Sequence, residues 1–109
     1  MKGNKVLSLL GLAKKAGKVV SGEFSTESAV KSAKAYLVLV SEEASDNTKK
    51  KFRNMCTYYE VPIYLYGNKE ELGKCIGQEF RASLAVTDQG FSKAIEKQLG
   101  NVDERRMQV

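Results

Sequence analysis

At 109 residues, with 42% hydrophobic and 28% charged side chains, the chain has the composition of one globular domain with a single core. It carries a net charge of +5, has no histidine, and holds only two isolated cysteines, Cys56 and Cys75. A Cys/His zinc site and every Ser/His or Cys/His nucleophile pair are therefore excluded. No run approaches the roughly 20 apolar residues of a membrane span, and no cofactor, metal or catalytic pair is expected, so a non-enzymatic cytoplasmic protein is the reading.

Spacing predicts a first helix over residues 4–16, with Val6, Leu9, Leu10, Ala13 and Ala16 on one stripe and Gly17 as its stop. A short strand at 18–20 follows. Ser25 or Thr26 is expected to cap a second helix ending near Lys34, with Ala29, Val30 and Ala33 facing inward. The apolar run "AYLVLVS" at 35–41 is a strand covered on both faces. Ser45 then caps a third helix in which Phe52, Met55, Cys56 and Tyr59 recur at helical spacing.

"VPIYLYG" at 61–67 is the next strand, with Pro62 at its start, where a missing N–H matters least. Asn68 and Glu71 form a capping-box pair for a fourth helix through Ile76. "ASLAVTD" at 82–88 is a further strand, and Asp88 caps a last helix carrying Phe91, Ala94, Ile95 and Leu99 to Gly100. Strands and helices alternating at this pace predict an α/β fold, a three-layer α/β/α sandwich with a small mixed sheet of about four strands. The single domain spans 1–100, and 101–109 is expected to be a flexible tail.

Charge is uneven along the chain. Residues 1–34 hold seven lysines against Glu23 and Glu27, so the whole excess of +5 lies there, while 35–60 and 61–109 are each balanced. Such a concentration suits a polyanionic partner, because neutralised phosphates release counterions. It suits equally the solvated faces of two helices.

Other motifs carry less. "GLAKKAGK" at 11–18 misses the Walker A spacing by one residue and has Val19 where Ser or Thr is needed. Glu42/Glu43 and Glu70/Glu71 are assigned to capping and solvation, the run Lys49 to Lys51 to a solvated helix face, and Tyr58, Tyr59, Tyr64 and Tyr66 to packing rather than a base-stacking platform.

The strongest constellation is "VVSGEFSTESAVKSAK" at 19–34. Gly22 permits an unusual turn, the first N–H groups of the following helix face an acceptor, and Lys14, Lys15, Lys18 and Lys31 supply positive charge. Together with "LLGLAKKAGKVVSGE", "LVLVSEEAS" and "ELGKCIGQEFRASLAVTDQGF", it resembles a bacterial branch of the ribosomal proteins of the L7Ae and L30e type, over residues 7 to about 95.

That resemblance implies the same α/β/α sandwich and binding of kink-turns, sharply bent RNA elements with tandem sheared G·A pairs. It implies that the Gly22 turn and the start of helix two enter the widened groove, and that the loop Gln78 to Ala82 covers an extruded nucleotide. Relatives carry Gly-x-Asn-Glu-x-x-Lys at this helix start. Here the run is Gly22-Glu23-Phe24-Ser25-Thr26-Glu27-Ser28, so of the motif's residues only the glycine matches.

The expected function is recognition of structured RNA, ribosomal RNA first among candidates, by shape and backbone contacts. In this reading Lys14, Lys15 and Lys18 touch phosphates. Gly22, Glu23, Phe24, Ser25 and Ser28 form the groove-entering edge, Lys31 supports it, and Arg81 holds the extruded nucleotide. The ribosome or its proteins are further expected partners of a monomer. The alternative is a protein-interaction module on the same fold, with weak generic RNA affinity, docking through Phe24.

Overall fold

The structure is a computed structural model describing residues 4–99, so the expected tail at 101–109 and the helix stop at Gly100 lie outside the described residues. In chain order the elements are α1 (Asn4–Lys15), β1 (Val19–Ser21), α2 (Glu23–Lys31), β2 (Leu37–Val40), α3 (Asp46–Tyr59), β3 (Ile63–Leu65), α4 (Lys69–Lys74), β4 (Ser83–Val86) and α5 (Gln89–Leu99). The predicted strand and helix order holds, with β1 one residue later than expected and β2, β3 and β4 shorter than their apolar runs.

The sheet order is β1-β4-β2-β3. β2 pairs parallel with β3, whereas β4 lies antiparallel between β1 and β2, in register Val20↔Ala85 and Val38↔Ala85. β1, β2 and β3 therefore run one way and β4 the other. One rim of the sheet gathers the ends of β1, β2 and β3 with the start of β4, and the opposite rim gathers their beginnings with the end of β4.

Strand alternation sorts the apolar side chains into two cores. Leu37, Leu39, Tyr64, Leu84 and Val86 face Val6, Leu10 and Ala13 of α1, Leu72 of α4, and Ile95 and Leu99 of α5. Val38, Val40, Ile63 and Ala85 face Ala29 and Val30 of α2 and Phe52 and Cys56 of α3. This is the expected three-layer sandwich. Complete burial of a side chain the size of Phe52 contributes roughly 1.5–3 kcal/mol. Among the described residues no helix is long and apolar enough to cross a membrane.

Local chemistry sets the helix ends. Ser45 accepts from Thr48 N–H to open α3, Asn68 and Glu71 form the reciprocal capping box of α4, and Asp88 accepts from Phe91 N–H at 2.8 Å.

Helix α2 departs from expectation. It begins at Glu23, with Gly22 as N-cap and no side-chain cap bond, and it ends at Lys31 rather than Lys34. Thr26 cannot cap because it is buried, its hydroxyl accepting from Ser83 Oγ at 3.4 Å. Ser25 is already in the helix's first turn. Helix α4 stops at Lys74, not Ile76, and Tyr58 and Tyr59 lie exposed edge to face rather than packed in the core.

Candidate nucleic-acid interface

The rim at the end of β1 is built around Gly22. Its φ of 92° and ψ of 159° lie where a side chain is strongly disfavoured, and this conformation turns the chain from strand to helix with no intervening loop. Gly22 N–H donates to Ser83 O at 3.0 Å, and Gly22 O accepts from Thr26 N–H at 2.9 Å. The turn is thus anchored to the first residue of β4. Glu23, Phe24, Ser25 and Ser28 are exposed on the helix start, and Phe24 is 83% exposed.

Arg81 ties this turn to the loop before β4. Its Nε donates to Ser21 Oγ at 2.9 Å, Nη1 to Phe80 O at 2.8 Å, and Nη2 to Gln78 Oε1 at 3.0 Å. The guanidinium fork fills three fixed directions at once, so the loop and the strand end form one surface. Phe80, 61% exposed, stands on the loop side of this clamp, and Phe24 on the helix side.

The neighbouring loops are bonded into the same rim. Arg81 N–H donates to Lys69 O, Ser41 N–H to Ala82 O, Glu42 N–H to Gly67 O, and Lys69 N–H to Glu43 Oε1. Glu43 and Glu71 thus bond backbone amides and Glu70 pairs with Lys74, in keeping with capping and solvation.

Two acids near the helix start are neutralised from α3. Lys51 Nζ lies 2.8 Å from both Glu23 Oε2 and Glu27 Oε1, while Lys31 Nζ lies 2.8 Å from Glu27 Oε2. The Lys31 and Lys51 ammonium groups, in that order, lower the Glu27 carboxyl to about 2, and the same pairs raise both lysines. Without Lys51, a bare carboxylate on the first residue of α2 would repel an approaching phosphate. An open groove of about 370 Å³ runs along this helix, lined by Phe24, Glu27, Ser28, Lys31 and Ser32.

The expected site residues therefore divide. Gly22, Glu23, Phe24, Ser25, Ser28 and Arg81 come together. Lys31, in the last turn of α2, pairs with Glu27 and lines the groove shared with Phe24 and Ser28. Lys14, Lys15 and Lys18 are exposed but precede β1 on the opposite rim, Lys18 about 13 Å from Gly22 at roughly 3.3 Å per strand residue and Lys14 and Lys15 at the end of α1. Lys51, expected only to solvate its helix, and Ser21 were missed. Their partners lie 28 and 60 residues away, and no local pattern announces such pairs.

Comparisons agree with this architecture. The model of the ribosomal protein L7Ae/L30e/S12e/Gadd45 family matches residues 4–96. The chain is 46% identical over 95 residues to the RNA-binding protein YlxQ of Bacillus subtilis, covering 87% of this chain and 95% of that one. It is 33% identical to the large ribosomal subunit protein eL30 of Sulfolobus acidocaldarius, covering 75% and 81%.

A solved structure of a protein with unknown function from Bacillus halodurans superposes with a TM-score of 0.85 at 38% identity, over 88% of this chain and 97% of that one. The Giardia lamblia 15.5kD RNA binding protein shares the fold at a TM-score of 0.77 and 18% identity, over 92% and 86%. Matched by the family model over nearly all of its described length, the chain belongs to the ribosomal protein L7Ae/L30e/S12e/Gadd45 family.

Proposed function

We propose that the protein is a non-enzymatic RNA-binding protein that recognises a sharply bent, kink-turn-like element, ribosomal RNA being the first candidate, through the Gly22 rim. The observation that carries this reading is the Arg81 clamp. It holds the uncapped start of α2 and the 78–82 loop as one preorganised edge, with an exposed aromatic on each side.

Preorganisation matters because ordering loops on binding costs affinity. Gly22 lets the helix start approach the groove, Ser25 and Ser28 offer hydroxyls, and Phe24 and Phe80 offer ring faces for unstacked bases. With Asn, Glu and Lys of the relatives' motif replaced by Phe24, Ser25 and Ser28, recognition rests on shape and backbone more than on charged base-edge contacts. Arg81, with three nitrogens already donating, acts by holding the edge in place.

The test is titration of a labelled kink-turn RNA against the same RNA with its G·A pairs converted to Watson-Crick pairs, at two salt concentrations. A preference for the kinked RNA that survives the higher salt and is lost in Gly22→Ala is expected. Equal, salt-labile binding to both overturns the proposal. In that event the exposed Phe24 and the groove beside it favour the second reading, a protein-docking surface on the same fold.

A further inference from the structure

The lysines that precede β1 do not stand alone on the opposite rim. Lys18 O accepts from Thr87 N–H at 2.8 Å and Tyr36 N–H donates to Val86 O at 2.8 Å, so the starts of β1 and β2 flank the end of β4. At about 4.8 Å per strand spacing, Lys18 and Tyr36 sit roughly 10 Å apart. Lys14 and Lys15 close α1, whose chain returns through Lys18 N–H bonded to Ala13 O at 2.8 Å. Lys34 precedes Tyr36 by two residues, and all five side chains are exposed.

The stretches leading into β1 and β2 on this rim are free of acids. Residues 1–22 and 28–41 contain no Asp or Glu. Asp88 also stands at this end, but its Oδ2 accepts from Phe91 N–H, and Glu60 lies at the start of the segment leading into β3. Among the described residues, Lys14, Lys15, Lys18 and Lys34 have no ion pair, whereas Lys31, Lys51 and Lys74 do. The negative end of the α1 dipole accounts for Lys14 and Lys15. Lys18 and Lys34 each follow a helix C-terminus in the same way, Lys18 N–H bonded to Ala13 O of α1 and Lys34 N–H to Ala29 O of α2, so both helices end their negative poles on this rim.

We infer that this lysine rim is a second RNA-contact surface, which grips the phosphate backbone of a separate RNA segment while the Gly22 rim holds the bent element. The inference rests on the reading of the protein as an RNA binder and adds that it joins two segments. Four unpaired cations around an exposed tyrosine suit a backbone contact without base readout. Their separation from Gly22 by the length of β1 sets the two contacts on opposite ends of one rigid sheet.

The experiment uses the full chain, a labelled regular RNA duplex with no unpaired nucleotides, and a short-armed kink-turn RNA. Protein holding one equivalent of the kink-turn RNA is expected still to bind the duplex. Replacing Lys14, Lys15, Lys18 and Lys34 together by Gln should abolish that second binding and lower the duplex salt slope by about three to four. The fourfold Arg variant should retain it, and neither variant should alter the preference of the Gly22 rim for kinked RNA. Release of the duplex by one equivalent of kink-turn RNA, or duplex binding unchanged in a folded fourfold Gln variant, overturns the inference. The two proposals fail separately. Without any preference for kinked RNA the first is lost, while duplex binding that is abolished by the Gln variant and indifferent to Gly22→Ala still carries the second.

Discussion

Gly73→Ala isolates the contact that sets the 78–82 loop in place. Gly73 lies buried within α4, where alanine is intrinsically better by about 1 kcal/mol. Yet a Cβ there overlaps Glu79 O and falls 2.6 Å from Glu79 C and 2.9 Å from Phe80 N, all backbone atoms. Ordinary contact begins near 3.4 Å, so the 79–80 peptide must retreat by about 1 Å. The displaced segment lies between Gln78, whose N–H donates to Gly73 O at 2.8 Å, and the Arg81 clamp.

An overlap with three backbone atoms belongs in the upper half of the overpacking range, about 2–3 kcal/mol. After the helix gain, a net loss of roughly 1–2 kcal/mol and a fall in Tm of about 5–15 °C are expected by thermal and urea denaturation. Kinked-RNA affinity should fall further than stability alone explains, because the clamp shifts with the loop. A variant as stable as the parent would refute the reasoning, since the loop would then give way freely.

Two further outcomes are expected. The Glu27 carboxyl should titrate near pH 2 in a carbon-detected NMR titration; because its folded value lies below the ordinary 4.5, its pairing stabilises the fold at neutral pH and is lost as pH falls from about 4.5 to about 2. A midpoint near 4.5 would show that the Lys31 and Lys51 pairs do not persist in solution. Burial pushes the Cys56 thiol up to about 12 and, as the largest cause, the half-buried Cys75 thiol up to about 11, so at pH 8 Cys75 should alkylate roughly a hundredfold and Cys56 roughly a thousandfold more slowly than a free thiol, as followed by mass spectrometry.

The sequence disclosed what local chemistry decides. The Asn68/Glu71 box, the Ser45 cap and the uninterrupted apolar run of β2 each satisfy their own backbone or bury their own side chains within a few residues. The start of α2 was hidden because Ser25 and Thr26 look like caps, whereas the Gly22 backbone and its bond to Ser83 decide the boundary from across the sheet. Lys14, Lys15 and Lys18 looked close to Gly22 because few residues intervene, but extended strand converts that short interval into distance. Arg81 and Lys51 acquired their roles only when β4 and α3 packed beside partners remote in the chain.

The position of β4 also orders the molecule's birth. β1 is made early, but among the described residues its only strand partner is β4, with Val19 paired to Val86 at a separation of 67 residues. During synthesis, the Gly22 amide and the Ser21 hydroxyl wait for Ser83 and Arg81 to emerge, and such distant closure is slow compared with local helix formation. The Gly22 rim is therefore among the last features to form, and a chain that stops short of β4 lacks the Ser83 and Arg81 bonds that fix it.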